Sequence, residues 1–321
     1  MITEIPTADD FDRQGLNQLH LAWEITIEVI SSLEQAQKID LPATSEEGQL
    51  AEKTFWDRSQ PALANALSLT QQAGEMALKG RVAAVSPYLL IGRDPKDWPR
   101  AVDREPVPFS EFRTIDTADL VKVHNSFVTP RLPEAFEAFW TGLRRDRNAI
   151  MHSVSPKRRD AGELIKSILM MAHFLFSDPK WPRRLLDLED KNKYSGFSFG
   201  LDYSTNTAMD QIETALKYLS TSECKLFFGL DIRRRRYRCP SCYAAANTDF
   251  QEALPHLAQL PPNTPNATEL TCVVCEETSV VERLDCPNPN CRGNVFHAGT
   301  CCCCHRERDD PSHFRSKFWS D

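Results

Sequence analysis

The stretch Arg147-Asn148-Ala149-Ile150-Met151-His152 decides how this chain reads. It closes a predicted helix opened by Pro133 and Glu134, with apolar positions at Ala135, Ala138, Phe139, Gly142, Leu143, Ile150 and Met151. At about 100° per residue, Asn148 and His152 lie about 40° apart around that helix, and Arg147 about 140° from His152. Arginine is long and helix ends unwind, so one groove is expected to receive all three side chains. Arginine grips phosphate with a fixed fork of donors, and histidine exchanges protons near neutral pH.

Together these are the tools for cutting RNA without a metal. His152 is expected to deprotonate the ribose 2'-hydroxyl or protonate the leaving 5'-oxygen. Arg147 would hold the scissile phosphate and offset its developing charge, with Asn148 orienting the histidine or a phosphate oxygen. The product would be a 2',3'-cyclic phosphate. A single histidine is poorly suited to be acid and base at once, so two copies in a dimer are a natural solution.

Outward from the motif, helical periodicity dominates. Leu16, Leu19, Ala22, Trp23, Ile27, Ile30 and Leu33 recur at helical spacing within Asp9–Asp40. A second helical region runs from Ser45 to Leu90, where Pro61 is expected to break or restart it and Glu75 and Lys79 stand at i,i+4. Ile91–Ser110 reads as a proline-rich, charged loop. Thr117-Ala118-Asp119 then starts a helix through His124. Further helices are expected over Ala161–Phe176, Pro182–Asp190 and Met209–Leu219, with Lys191–Asn206 as a linker or surface loop. The fold expected is mainly α, with a helical body over residues 1–222 and a cysteine-rich domain over residues 223–321.

Four stretches in chain order carry a family resemblance: Gly74-Glu75-Met76-Ala77-Leu78-Lys79, Pro87-Tyr88-Leu89-Leu90-Ile91, Phe112-Arg113-Thr114-Ile115, and Arg147-Asn148 to His152. Over roughly residues 10 to 180 the chain resembles the HEPN family, the small helical-bundle domain of many prokaryotic RNases. The last stretch is the specific motif; the others are helical context. The resemblance implies a HEPN-like bundle that is a metal-independent RNA endonuclease, active as a homodimer with two motifs facing across a cleft. It further implies a setting in antiviral defence or toxin-like growth arrest. Arg147, Asn148 and His152 take the motif positions, and Glu75 matches a polar helix position that borders the site. Family toxins regulated by AMP transfer carry a tyrosine two residues after the histidine, where this chain has Val154, so that regulation is not expected. Arg131, Arg144, Arg145, Lys157, Arg158 and Arg159 surround the motif and are expected to line an RNA path.

The tail has a different chemistry. Of 11 cysteines, 10 lie between Cys239 and Cys304, and the first 223 residues hold none. Cys239-x2-Cys242 and Cys272-x2-Cys275 are two zinc-ribbon knuckles, which together complete a tetrahedron around Zn2+. Cys286-x4-Cys291 and Cys301-x2-Cys304 suffice for a second ion. Cys302, Cys303, His297 and His305 are possible substitutes, and a cross-braced pairing of Cys239 and Cys242 with a later couple stays open. Cys224 reads as a packed core cysteine, and Phe227, Phe228, Leu230 and Ile232 after it have strand composition. Four protein ligands leave no open position, so the two expected Zn2+ ions are structural. The tail is then expected to bind RNA, a partner protein or an activating signal. Arg233–Arg236 and Arg238 precede the first knuckle, yet residues 231–321 hold 11 Lys+Arg against 12 Asp+Glu, so broad basicity does not drive it.

Bulk properties narrow the classes further. The net charge of -7 argues against coating by nucleic acid through bulk charge and leaves only a local basic patch for that role. The acidic first dozen residues are unlike a signal peptide, and the most apolar run, Leu164–Phe176, is too short to span a bilayer. A cytoplasmic protein without membrane contact is expected. The rival expectation is a non-catalytic dimeric HEPN interaction protein whose zinc domain docks a partner or nucleic acid.

Overall fold

Apolar residues at helical spacing and strong N-terminal caps produce two long helices, α1 (Ala8–Ile39) and α2 (Glu46–Val85). The Thr7 hydroxyl accepts from the Asp10 amide at 3.2 Å, while the Asp10 carboxylate accepts from the Thr7 amide at 3.0 Å. This reciprocal cap starts α1. Ser45 caps α2 by accepting from the Gly48 amide at 3.0 Å. The computed structural model describes residues 1–39, 45–92, 98–99, 105–152, 158–191, 203–246 and 254–308. Two compact units result, Met1–Asp178 and Pro179–Asp321.

In the first unit α2 runs unbroken through Pro61, contrary to the expected break. The turn before the proline is supplied with side-chain donors: Ser59 Oγ donates to the Phe55 carbonyl at 2.9 Å and Gln60 Nε2 to the Trp56 carbonyl at 3.1 Å. Leu19, Trp23, Ile27 and Ile30 of α1 are buried, as are Leu63, Ala66, Ala77 and Leu78 of α2. Each large apolar side chain fully buried contributes roughly 1.5–3 kcal/mol, so packing rather than helix propensity holds this pair.

Three further helices complete the unit: α3 (Leu120–Phe127), α4 (Glu134–His152) and α5 (Ala161–Leu175). Asn125 bridges α3 to α4, its Oδ1 accepting from the Leu132 amide at 2.9 Å and its Nδ2 donating to Glu137 at 2.9 Å. Arg81 of α2 caps the end of α5 by donating to the carbonyls of Phe174 at 2.9 Å and Leu175 at 3.0 Å. Two residues each of β1 (Ile2–Thr3) and β2 (Val107–Pro108) pair in parallel. Among the described residues no helix is long and apolar enough to cross a membrane.

The second unit begins with helices α6 (Trp181–Asp190), α7 (Ser204–Leu216) and α8 (Thr221–Phe228). The unit boundary therefore falls upstream of the cysteine-rich stretch, whereas the sequence assigned residues up to 222 to the helical body. Direct ties explain the grouping. Arg183 of α6 donates to the Cys275 carbonyl at 3.2 Å, and Arg236, just before the first knuckle, grips Glu213 of α7 at 2.8 Å. Phe227 and Phe228, read as strand, lie in α8. Its Ser220–Glu223 capping box and left-handed Gly229 (φ 74°) fix a short helix that the phenylalanine pair alone did not signal. Of the expected 191–206 linker, Ser204–Asn206 form the first turn of α7, while residues 192–202 lie outside the described residues.

The cysteine-rich part follows. The six-residue α9 (Pro240–Ala245) precedes an antiparallel sheet of β3 (Ala258–Gln259), β4 (Glu269–Cys272) and β5 (Thr278–Val280). A hairpin of β6 (Phe296–His297) and β7 (Thr300–Cys301) ends it. Leu257, Leu270, Val274, Val295 and Phe296 form the small apolar core between.

One close approach positions everything described next. A Cβ added at Gly74 of α2 would meet Trp140 Cζ3 at 2.7 Å and Met171 Cε at 2.6 Å, so only glycine lets α4 and α5 settle there. Gly142 on α4 has nothing within 4 Å of the same position. Gly74→Ala should therefore lower the unfolding free energy by about 1–3 kcal/mol through overpacking. Gly142→Ala should raise it by about 0.5–1 kcal/mol through helix propensity. Urea denaturation of the two variants checks this, and shifts of the same sign would contradict it.

Candidate functional site

In the first unit, Gln71 and Glu75 sit one turn apart on α2 and face Arg144, Arg147 and Asn148 of α4, whose i, i+3, i+4 spacing puts them on one helix face. With Asp116, Thr117 and Ala118 they line an open groove of about 700 Å3. Gly74 is the neighbour of Glu75, so the tight helix contact and the groove wall are one construction.

Glu75 is half-buried and firmly held. Lys79 Nζ lies 2.8 Å from Oε1, and the Thr117 hydroxyl donates to Oε2 at 2.8 Å. Burial pushes its pKa up, but the bonds from Lys79, Thr117 and Gln71 outweigh it, so the net shift is downward. Glu75 is thus a fixed carboxylate whose charge Lys79 neutralises.

The arginines are differently placed. Neither Arg144 nor Arg147 makes an ion pair among the described residues, and Asp116 is engaged by Arg113 at 3.2 Å. Arg147 Nη1 donates to Asn148 Oδ1 at 3.4 Å, while its buried Nε has no partner among the described residues. Among the described residues this leaves a guanidinium donor without a partner beside a second arginine without an ion pair, and such a pair can take an anion.

His152 is exposed at the end of α4 and is not among the groove's lining residues. The angular offset of about 140° from Arg147 persists because α4 stays helical to its last residue, so one chain does not gather all three motif side chains in one groove. Of the expected RNA path, Arg145 is exposed, Arg158 pairs loosely with Asp57 at 3.6 Å, and Lys157 lies outside the described residues. Arg159 is a staple instead, exchanging backbone bonds with Gln60 at 2.6 and 3.2 Å and pairing with Asp146 at 3.3 Å. Gln71 and Thr117 were not foreseen as groove residues. Gln71 is legible as the residue one turn before Glu75, whereas Thr117 arrives only through tertiary packing.

The second unit brings eight cysteines into two clusters, Cys239, Cys242, Cys272 and Cys275, then Cys286, Cys291, Cys301 and Cys304. The pairing is sequential, which closes the cross-braced alternative. Sulfur separations are 3.6 Å for Cys239–Cys275, 3.7 Å for Cys242–Cys272, 3.7 Å for Cys286–Cys304 and 4.0 Å for Cys291–Cys301. A disulfide needs about 2.05 Å, whereas four thiolates about 2.3 Å from a tetrahedral ion stand about 3.8 Å apart. Each cluster can therefore hold one metal ion.

The second knuckle of each cluster repeats the same turn. Val274 donates to Cys272 Sγ at 3.4 Å and Cys303 to Cys301 Sγ at 3.4 Å, and the residue after each knuckle, Glu276 or His305, is left-handed at φ 60° and 59°. Such N–H···S bonds orient and stabilise thiolates. Cys302 and Cys303 stay outside the clusters, and burial, aided by the charge of Cys301, pushes the Cys302 thiol up to about 12. His297 bonds the Val280 carbonyl at 3.1 Å and His305 packs on Tyr243, so neither replaces a cysteine. Cys224 is fully buried, its Sγ 3.9 Å from the Leu219 carbonyl, as expected of a core thiol. The basic run is largely spent inside the unit. Arg233 and Arg234 pair with Asp231 at 3.6 and 3.5 Å, and Arg236 with Glu213.

No protein-family model matches this chain, and neither a curated protein nor a solved structure does.

The sequential clusters make a stoichiometric prediction. Metal analysis of the purified chain should give two ions. Cys239→Ser should leave one, because the second cluster shares no ligand with the first, and Cys302→Ser should leave two. Loss of both ions in Cys239→Ser, or of one in Cys302→Ser, would contradict the assignment.

Proposed function

We propose that this protein is a metal-independent RNA endonuclease of HEPN type, working as a dimer with a composite site, in a defence or growth-arrest role. The observation that carries the reading is the anion groove of Arg144 and Arg147, with its orphaned Arg147 Nε, set against the fixed carboxylate Glu75. Arg147 holds the scissile phosphate there, and Arg144 holds an adjoining one. Asn148 orients the Arg147 fork, and Glu75 keeps Lys79 and Thr117 in place.

His152 supplies the proton transfer from the exposed end of α4. As base it takes the proton from the 2'-hydroxyl, whose oxygen attacks phosphorus. The P–O5' bond breaks, and the leaving oxygen takes up a proton. The products are a 2',3'-cyclic phosphate and a 5'-hydroxyl end. Because His152 stands outside its own chain's groove, a second copy brings its histidine to the arginines. The exposed Met151, 57% accessible beside His152, belongs to the face where the copies meet.

The two cysteine clusters hold structural Zn2+ in this reading. Thiolate-only donor sets with sulfur spacings near 3.7 Å suit a tetrahedral zinc, and complete protein ligation leaves no position for substrate. They fold the second unit rather than take part in the cleavage.

The test is incubation of end-labelled single-stranded RNA and tRNA with the purified chain in EDTA, beside a matched EDTA-free lane. Arg147→Ala and His152→Ala should each reduce cleavage by about a hundredfold or more, with cyclic phosphate ends from the parent protein. Mixing the two inactive variants should restore part of the activity through mixed dimers. Cleavage that survives either substitution would overturn the reading. So would a parent protein that binds RNA in this groove and leaves it intact, which makes the chain an interaction module.

A further inference from the structure

The second unit contains a pocket that the nuclease reading does not use. It lies where the two cysteine clusters meet, and Cys239 of the first and Cys301 of the second both border it. The backbone makes the junction: the Arg238 amide donates to the Cys302 carbonyl at 2.8 Å. One wall is Pro240 and Tyr243 of the first knuckle. The other is the β6–β7 turn, Ala298-Gly299, with both residues left-handed at φ 47° and 81°. Such a turn matches the twist of a hairpin, but an alanine at its first position is uncommon. Here the Ala298 methyl lines the cavity.

The lining combines flat rings with one planar cation. The Arg238 guanidinium lies 5.3 Å from the centre of the Tyr243 ring, and the His305 ring packs on the same tyrosine at 3.7 Å. Arg238 Nε is buried and has no partner among the described residues. His297 engages the Val280 carbonyl through Nδ1 at 3.1 Å, and in the tautomer that donates this bond Nε2 is an acceptor. The cavity is about 170 Å3, below the roughly 300–1,000 Å3 that enclose a whole drug-sized ligand, so it suits a single flat ring system with the rest of its molecule outside.

These features specify an occupant. Apolar and aromatic walls call for a flat π-system rather than a bare carboxylate or phosphate. A guanidinium with free donors calls for two adjacent acceptors in the ring plane, which guanine presents at O6 and N7. Adenine sets a donor beside N7 and is refused. The acceptor on His297 suits the donor edge of the same base.

We propose that the pocket lined by Arg238, Pro240, Tyr243, His297, Ala298 and His305 binds a guanine base, displayed by single-stranded RNA. The proposal stands apart from the nuclease reading. The test uses the full, metal-loaded chain carrying His152→Ala, so that the probe survives whether or not the nuclease reading holds. Fluorescein-labelled pentamers UUGUU, UUAUU, UUCUU and UUUUU are titrated by anisotropy. UUGUU should bind about tenfold more tightly than the others. Tyr243→Leu and Arg238→Gln should each erase that preference while metal analysis still finds two ions per chain.

As a readout free of substitutions at the pocket, GMP should displace UUGUU at lower concentration than AMP, CMP or UMP. Equal binding of the four pentamers, equal displacement by the four nucleotides, or a guanine preference that persists in both metal-loaded variants would overturn the proposal. GMP binding far weaker than UUGUU assigns the base to an RNA chain. Binding as tight as the pentamer assigns it to a free guanine nucleotide and overturns the RNA source.

Discussion

The contact of Gly74 with Trp140 and Met171 is the constraint on which the first unit depends. Any side chain there would push α4 and α5 off α2. Phe136 and Trp140 stack at 6.2 Å, and Phe136 meets Phe174 edge-on at 5.4 Å, so this aromatic layer has little slack to absorb a displacement. Glu75 is the next residue. The same approach that packs the core sets a carboxylate opposite two arginines, and Lys79 and Thr117 then keep that carboxylate from neutralising them. Among the described residues the two arginines of the groove have no ion-pair partner while the negative charge on α2 is already satisfied, so the groove can take an anion.

A parallel economy organises the second unit. The small strands and the six-residue α9 bury too little apolar surface to be stable alone. Two sequential cysteine clusters, each able to hold one metal ion, would supply what the core lacks, and N–H···S bonds shape their second knuckles. Gly293 shows how tightly the second is built, since a Cβ there would lie 2.9 Å from Cys301 Sγ and 3.1 Å from Cys291 Sγ. The pocket of Arg238 and Tyr243 is a by-product of joining two such clusters edge to edge.

Much of this was legible in the residues. The apolar period marked α1, α4 and α5 to within a residue or two, because packing periodicity is a strong signal over long stretches. The eight clustered cysteines were legible because thiols paired at CxxC and Cx4C spacing fit around a tetrahedral ion. The spacing did not state the pairing, which tertiary placement decides. Pro61 misled because propensity is a local quantity, while Ser59, Gln60 and the packing around them are not. Phe227 and Phe228 misled because a strand-like pair sat inside an unread capping box, Ser220 to Glu223. The groove was half legible: Arg144, Arg147 and Asn148 share a face by spacing, but their meeting with Glu75 depends on Gly74. The position of His152 outside that groove followed from the helical angle, and the expectation that the helix end would unwind did not hold.

The claim at the centre of this account is that the Arg144–Arg147 groove receives an RNA backbone. The most direct measurement is the salt dependence of binding a 2'-O-methyl oligonucleotide, which has no attacking hydroxyl, by the parent protein, Arg144→Gln and Arg147→Gln. Each substitution should weaken binding for every sequence alike and reduce the slope of log K against log salt by about 1, the loss of one phosphate contact. Slopes unchanged by both substitutions would contradict the account and move the RNA away from this groove.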